Sequence, residues 1–316
     1  MQNNIDKISP YKHFFTTFAI MYKQGLSILI PVFNRNCCAL VQELHVQAVN
    51  CGIDFEIIVV EDGSTNPKYV DQNRPVAAID HVRYIIHEEN MGRAIIRNWL
   101  ADKAEYDTLL FLDCDVDILD PDYLKRYLDN KASVVCGGLC IGGDANKLRH
   151  SLRYHYEKTH EKEYTAKQRK RNPYKNFRTT NFLIEHKVME GCRFDERFRQ
   201  YGYEDVIFGK TLKQNGIIIS HIENPVYLTR FESNTYFMIK TEEAMHTLYK
   251  FRKDIVPYSR LLQHVEVLKK IGLLPVLRLI YRSSIGYYLM RNLNGERPVS
   301  QLYNLYKLMF FASLKP

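Results

Sequence analysis

The chain has 316 residues, 46% of them hydrophobic and 25% charged, which is enough to bury one large core or two modest ones. No opening segment joins a basic start, an apolar stretch and a small-residue cleavage site, and no run of about 20 apolar residues lacks charge, so a cytoplasmic protein is expected. The seven cysteines are odd in number and form no C-x-x-C pair, which argues against a disulfide framework or a zinc site.

The net charge of +8 is uneven: Phe231 to Pro316 carries 13 Lys and Arg against 6 Asp and Glu. No recognised nucleic-acid module accompanies that basic tail, so no nucleic-acid partner is expected.

Met21 precedes the first strand pattern, and residues 1–25 read as an N-terminal extension. "LSILIPVF" (26–33) then predicts a strand, and "CCALVQELHVQAVN" carries apolar residues at helical spacing. "FEIIVVEDGS" gives a second strand, "HVRYIIHEEN" a third, "GRAIIRNWLADKA" a helix and "YDTLLFLD" a fourth strand. This alternation implies an α/β fold, a mostly parallel sheet flanked by helices. Ligands of such sheets gather beyond the carboxyl ends of the strands. Here those ends carry Asn34, the pair Glu61 and Asp62, and Asp113 with Asp115.

Residues 144–176 read as a charged insert, helical in part and mostly solvated. "YGYEDVIFG" (201–209) follows it, then a short strand within "IIISHIENPVYL" and, from Ser233, a basic helical C-terminal region. The expected organisation is an α/β domain over 26–232, divided near residue 115 into two halves, and a C-terminal helical appendage over 233–316.

In "LLFLDCDVDILD", four aspartates occupy eight positions at a strand end. Buried carboxylates require a cation or donors to replace water. Asp113 and Asp115 in D-C-D can both reach one hard divalent ion, Mn²⁺ or Mg²⁺, which prefers oxygen ligands and leaves positions for phosphate. Asp117 and Asp120 suit the turn that precedes the next helix.

"ILIPVFNR", "VVEDGS", "NMGRAIIRN", "FLDCD" and "FDERFRQYGYEDVIFG", in that order, resemble the family 2 glycosyltransferases of the GT-A fold over roughly 26–232. The resemblance implies an inverting, metal-dependent transferase that moves a sugar from a nucleotide diphosphate, UDP by frequency in the family, to a hydroxyl of a glycan or lipid-linked glycan. It implies that Asp62 hydrogen-bonds the nucleotide base, with Pro31 and Phe33 in the same pocket, and that Arg97 and Arg93 stand beside the nucleotide. Asp113 and Asp115 would meet the diphosphate and metal. Asp205 would be the general base, with Glu204 assisting and orienting the acceptor and Tyr203 stacking on a sugar.

The sequence departs from the family at Leu228, where the pattern places a histidine that completes the metal site; His221 is the candidate substitute. That departure keeps open a catalytically weak glycan- or nucleotide-sugar-binding protein on a degenerate version of the fold. A nucleotidyltransferase is the enzymatic alternative, but "PVFNRNCC" lacks the glycine-rich, basic phosphate loop it would need. "LLPVLRLIYRSSIGYYLMRNL" (273–293), apolar and aromatic with interspersed arginines, fits either a packed helix or an interfacial helix on an anionic membrane surface, which would place the enzyme peripherally on the inner face.

Overall fold

The computed structural model describes residues 23–314, so residues 1–22 of the expected N-terminal extension lie outside the described part. β1 (Lys23–Val32) leads into α1 (Cys38–Cys51), which buries Leu40, Val41, Leu44, Gln47 and Ala48 at helical spacing and ends at Gly52 in the left-handed conformation. β2 (Phe55–Asp62) is buried at every residue, as a central parallel strand must be. α2 (Pro67–Asn73), β3 (Val82–His87), α3 (Arg93–Lys103) and β4 (Tyr106–Leu112) complete the expected alternation.

The chain then becomes irregular. β5 (Val116–Asp117), α4 (Tyr123–Leu128), β6 (Val134–Cys136) and β7 (Leu139–Ile141) are followed by α5 (Leu152–His160), α6 (Ala166–Arg169), β8 (Asn181–Glu185) and α7 (His186–Gly191). α8 (Glu204–Gln214), β9 (Ser220–His221) and β10 (Val226–Leu228) precede the C-terminal helices: α9 (Asn234–Lys250), α10 (Arg252–Ile255), α11 (Arg260–Lys270), α12 (Leu274–Arg282), α13 (Ser284–Asn294) and α14 (Gln301–Ser313).

Among the described residues, the main sheet has seven strands in the order β3-β2-β1-β4-β8-β6-β9. β3, β2, β1 and β4 run parallel, and β8 is antiparallel to both β4 and β6. A small second sheet, β5-β10-β7, places Leu228 opposite Val116. β1 fully buries Leu26, Ile28, Leu29 and Ile30, each contributing about 1.5–3 kcal/mol by removal from water.

The 144–176 insert keeps most of its residues at least partly solvated, as expected, but buries Leu152, Tyr154, Tyr164 and Arg169. Arg169 donates to the carbonyls of Tyr164, Cys136, Gly137 and Ile222, which fastens the insert to the sheet edge. The core also continues past residue 233: Ile96, Phe111 and Phe208 share one hydrophobic cluster with Met245 and Leu248 of α9 and Tyr306 and Phe310 of α14.

Candidate functional site

The chain proceeds from β1 to β2 and β3 on one side, then returns to place β4 on the other side of β1. That reversal opens a crevice at the strand ends, where open α/β sheets bind ligands. A cleft of about 590 Å³ occupies it and reaches from Pro31 and Phe33 to α9 and α14. Every expected site residue except His221 lines it.

At the Pro31 and Phe33 end, the Asp62 carboxylate accepts from the backbone N–H groups of Met91 (2.7 Å) and Gly92 (3.3 Å), fixing the turn that opens α3. Burial raises its pKa and the two N–H groups partly offset this. Gly92 has φ +88°, and a Cβ there would lie 2.4 Å from the Arg199 carbonyl oxygen, so this turn requires glycine.

Arg97 and Arg93 do not stand free for a phosphate. Arg97, 1% exposed, donates to Asp113 at 2.6 Å, while Arg93 lies 3.4 Å from Asp113 and pairs closely with Glu204. Burial alone would raise the Asp113 pKa, but Arg93 and Arg97 more than offset it and hold the carboxyl below its usual range. Asp113 is therefore committed to two guanidinium groups and is not an open metal ligand.

Asp115 differs from its neighbour two residues away. Among the described residues its carboxylate has no hydrogen bond or ion pair, and burial and the negative Asp113 push its pKa up, with Arg153, Arg35 and Arg93 opposing. Asp120 shapes the exit turn, accepting from the Asp122 N–H and pairing with Arg126, whereas Asp117 lies in β5 and ties it to the segment after β10 through Thr229 and, at 2.8 Å, Arg230.

His221 is not a metal ligand. Its ring nitrogens lie 2.9 Å from the Pro173 carbonyl and 2.8 Å from Arg169, and burial pushes its pKa down to about 4. Leu228 stands beside Val116, next to Asp115, so the histidine position of the family pattern is in the cleft wall but apolar. The available donor set is thus one carboxylate. It still suits a hard ion such as Mg²⁺, which binds through one or two carboxylates and completes its shell with phosphate oxygens and water.

At the opposite wall, Gly202 (φ +103°) and Tyr203 (φ +70°) turn the chain into α8. A left-handed tyrosine is an uncommon conformation, and Ala244 of α9, 2.9 Å from a Cβ built on Gly202, holds the turn from outside. The turn presents Glu204 and Asp205 at a helix N-terminus. Glu204 is 5% exposed and committed to Arg93, so it is not an independent acid-base group. Asp205 accepts only its neighbour Val206 N–H, at 2.7 Å, among the described residues. Burial and the adjacent Glu204 push its pKa up to about 6, with Arg178 opposing.

The family model for glycosyl transferase family 2 matches residues 27–192, just over half of the chain. The chain belongs to glycosyl transferase family 2. Two curated relatives of this family 2 chain are a Bacillus subtilis protein named as the glycosyltransferase EpsH and an uncharacterized glycosyltransferase of Haemophilus influenzae. EpsH is 26% identical over 218 residues, 66% of this chain and 61% of EpsH. The Haemophilus protein is 30% identical over 105 residues, 33% of this chain and 41% of that protein. The chain thus spans about three fifths and two fifths of their lengths.

Among solved structures, Staphylococcus aureus TarS 1–349 superposes with TM-score 0.50 and 17% identity, covering 90% of each chain. The same TarS segment has been solved with UDP-GlcNAc. A Pyrobaculum calidifontis mannosyltransferase, solved with GDP-Man and Mn²⁺, superposes with TM-score 0.50 and 12% identity, covering 93% of this chain and 86% of that one. These likenesses establish the GT-A type fold.

Sequence reasoning missed several cleft residues of this family 2 chain. Arg35 follows β1, and Arg153, paired with Glu232 at 2.7 Å, comes from the insert. Arg178 faces Asp205, while Tyr303 and Lys307 come from α14. Only the "NRN" after the first strand offered a local signal.

Proposed function

We propose that the cleft transfers a sugar from a nucleotide diphosphate donor, a UDP-sugar, to a hydroxyl of a glycan or lipid-linked glycan, with inversion at the anomeric carbon. The observation that carries the reading is Asp205: a half-buried carboxylate, raised to about 6, with no side-chain hydrogen bond or ion pair among the described residues, in the same cleft as Asp115. A base whose pKa lies near neutrality is suited to removing a hydroxyl proton as the oxygen attacks.

The donor base lies against Asp62, Pro31 and Phe33, where Asp62 keeps lone pairs beyond its two backbone bonds. Arg35 would face the diphosphate near Asp115 and stabilise the charge it gains on leaving, with Arg153 adding positive field from its pair with Glu232. Asp115 would hold Mn²⁺ or Mg²⁺ together with diphosphate oxygens, and the ion would supply further positive charge there. Arg93, held between Asp113 and Glu204, joins the donor and acceptor walls, so Glu204 acts as a positioning residue. Tyr203 offers its ring to the acceptor sugar. Release of UDP from a UDP-sugar panel tests this reading; a degenerate binding protein would bind UDP and release none.

The acceptor reading includes a membrane. Among the described residues no helix is long and apolar enough to cross a bilayer. α12 buries none of its residues, and Leu279, Tyr287 and Tyr288 are 72%, 64% and 63% exposed beside Arg282 and Arg291. This apolar and basic face supports peripheral attachment to an anionic surface. The protein is expected to co-sediment with vesicles containing phosphatidylglycerol and not with pure phosphatidylcholine, and Leu279→Glu is expected to weaken that binding several-fold. Equal sedimentation with both vesicles would refute it.

A further inference from the structure

Lys307 is a cation in the cleft wall that the transfer reaction does not use. It projects from α14 with Nζ 4.4 Å from the Tyr303 ring centroid, 4.8 Å from that of Tyr156 and 3.3 Å from the Tyr156 hydroxyl. It makes no ion pair among the described residues. The nearby charges are already engaged. Lys240 pairs with Glu243 at 2.6 Å, and Glu157 accepts the Tyr164 hydroxyl at 2.5 Å. The Tyr303 hydroxyl is bound to Thr241.

Burial pushes the Lys307 pKa down to about 8, and Glu157 opposes this only in part, so the ammonium is incompletely compensated. Its place along the cleft is also defined. Tyr203, which precedes Glu204 and Asp205, lines the same cleft as Tyr156, and Tyr156 packs on Tyr303 with ring centroids 4.7 Å apart. Tyrosine side chains therefore line the cleft both beside the candidate base and at Lys307.

We propose that this end of the cleft is an acceptor subsite for an acidic sugar unit, whose carboxylate or phosphate pairs with Lys307 while its ring lies against Tyr156. The inference rests on the transferase reading and names the acceptor's chemical class. An incoming anion gains a desolvated charge-assisted contact without breaking an existing ion pair. Tyrosine faces accept the apolar side of a pyranose, which gives the subsite a shape preference as well as a charge.

The test is calorimetric binding of three probes to the full chain: methyl glucuronide, glucose 6-phosphate and uncharged methyl glucoside. At least one charged probe is expected to bind more tightly than the neutral one, and the stronger of the two identifies carboxylate or phosphate as the group read. Lys307→Met is expected to weaken the charged probe about tenfold or more, Lys307→Arg to retain most of it, and neither to change neutral-probe binding. The inference is overturned if no charged probe is preferred, if none binds at millimolar concentration, or if Lys307→Met weakens charged and neutral probes alike. UDP binding on the same samples reports the donor reading separately, so intact UDP binding without charge preference overturns this inference alone.

Discussion

Asp205→Asn is expected to lower the rate of sugar transfer by about 10²- to 10⁴-fold while leaving UDP affinity within about a factor of two. The substitution keeps the size of the side chain and its bond from the Val206 N–H, and removes only the capacity to take a proton. In the wild type, the rate should rise as pH increases through about 6, where burial and Glu204 place the Asp205 pKa, and then level off. The direction follows from the base being active only when deprotonated. Glu204→Gln provides the contrast, because Glu204 works through Arg93; it should displace Arg93 and raise KM more than it lowers kcat. Steady-state rates from pH 5 to 9 check both, and an Asp205→Asn enzyme with undiminished turnover would remove the base from the account.

Arg97→Met is expected to be the most destabilising single change in the donor wall, by about 3 kcal/mol in urea unfolding. Breaking a buried ion pair by removing one partner typically costs 3–5 kcal/mol, and the lower end applies because Asp113 retains Arg93. The solvated pair Arg193–Asp102 is the control, with Arg193→Ala expected to cost at most about 1 kcal/mol through its salt bridge. The pH dependence has a defined sign. Because the folded pKa of Asp113 lies below its unfolded value, the stability it contributes is complete above roughly pH 4 and is lost as pH falls through the folded pKa. Equal destabilisation by the two variants would show that Asp113 is not held as described.

The βα alternation was legible because fully buried parallel strands read as unbroken apolar runs, as in "FEIIVVED", and α1 repeats its apolar residues at helical spacing. Of the strand-end residues, Asp62, Asp113 and Asp115 line the cleft, as does Asp205 at the start of α8, which the family resemblance singled out. What could not be read was which charges are already paired. Asp113 and Asp115 are equivalent in D-C-D, and they differ because Arg93 and Arg97, one helix turn apart, both turn their guanidinium groups onto Asp113. Similarly, "LRYHYEKTH" in the insert looks like a solvated charged helix, yet its Leu152 and Tyr154 are buried while Arg153 and Glu157 face the cleft. Lys307 lies in a tail whose basic residues look interchangeable. Its position between two tyrosines comes from α14, which carries Tyr303, meeting Tyr156 of α5, a contact between segments distant in sequence.

His221 shows the limit in the other direction. A histidine near a strand end after an acidic motif has the composition of a metal ligand, but its nitrogens are occupied by the insert's Arg169 and by Pro173. The donor site therefore depends on Asp115 more heavily than the two-carboxylate pattern implied.

The most direct measurement of the account is the thermal shift of wild type and Asp115→Asn with UDP, GDP and dTDP, each with and without Mn²⁺. A nucleotide that stabilises the wild type, more strongly with Mn²⁺, and loses the metal-dependent part in Asp115→Asn is the predicted result. No stabilisation by any nucleotide, or the same response to Mn²⁺ in both proteins, would contradict the donor site.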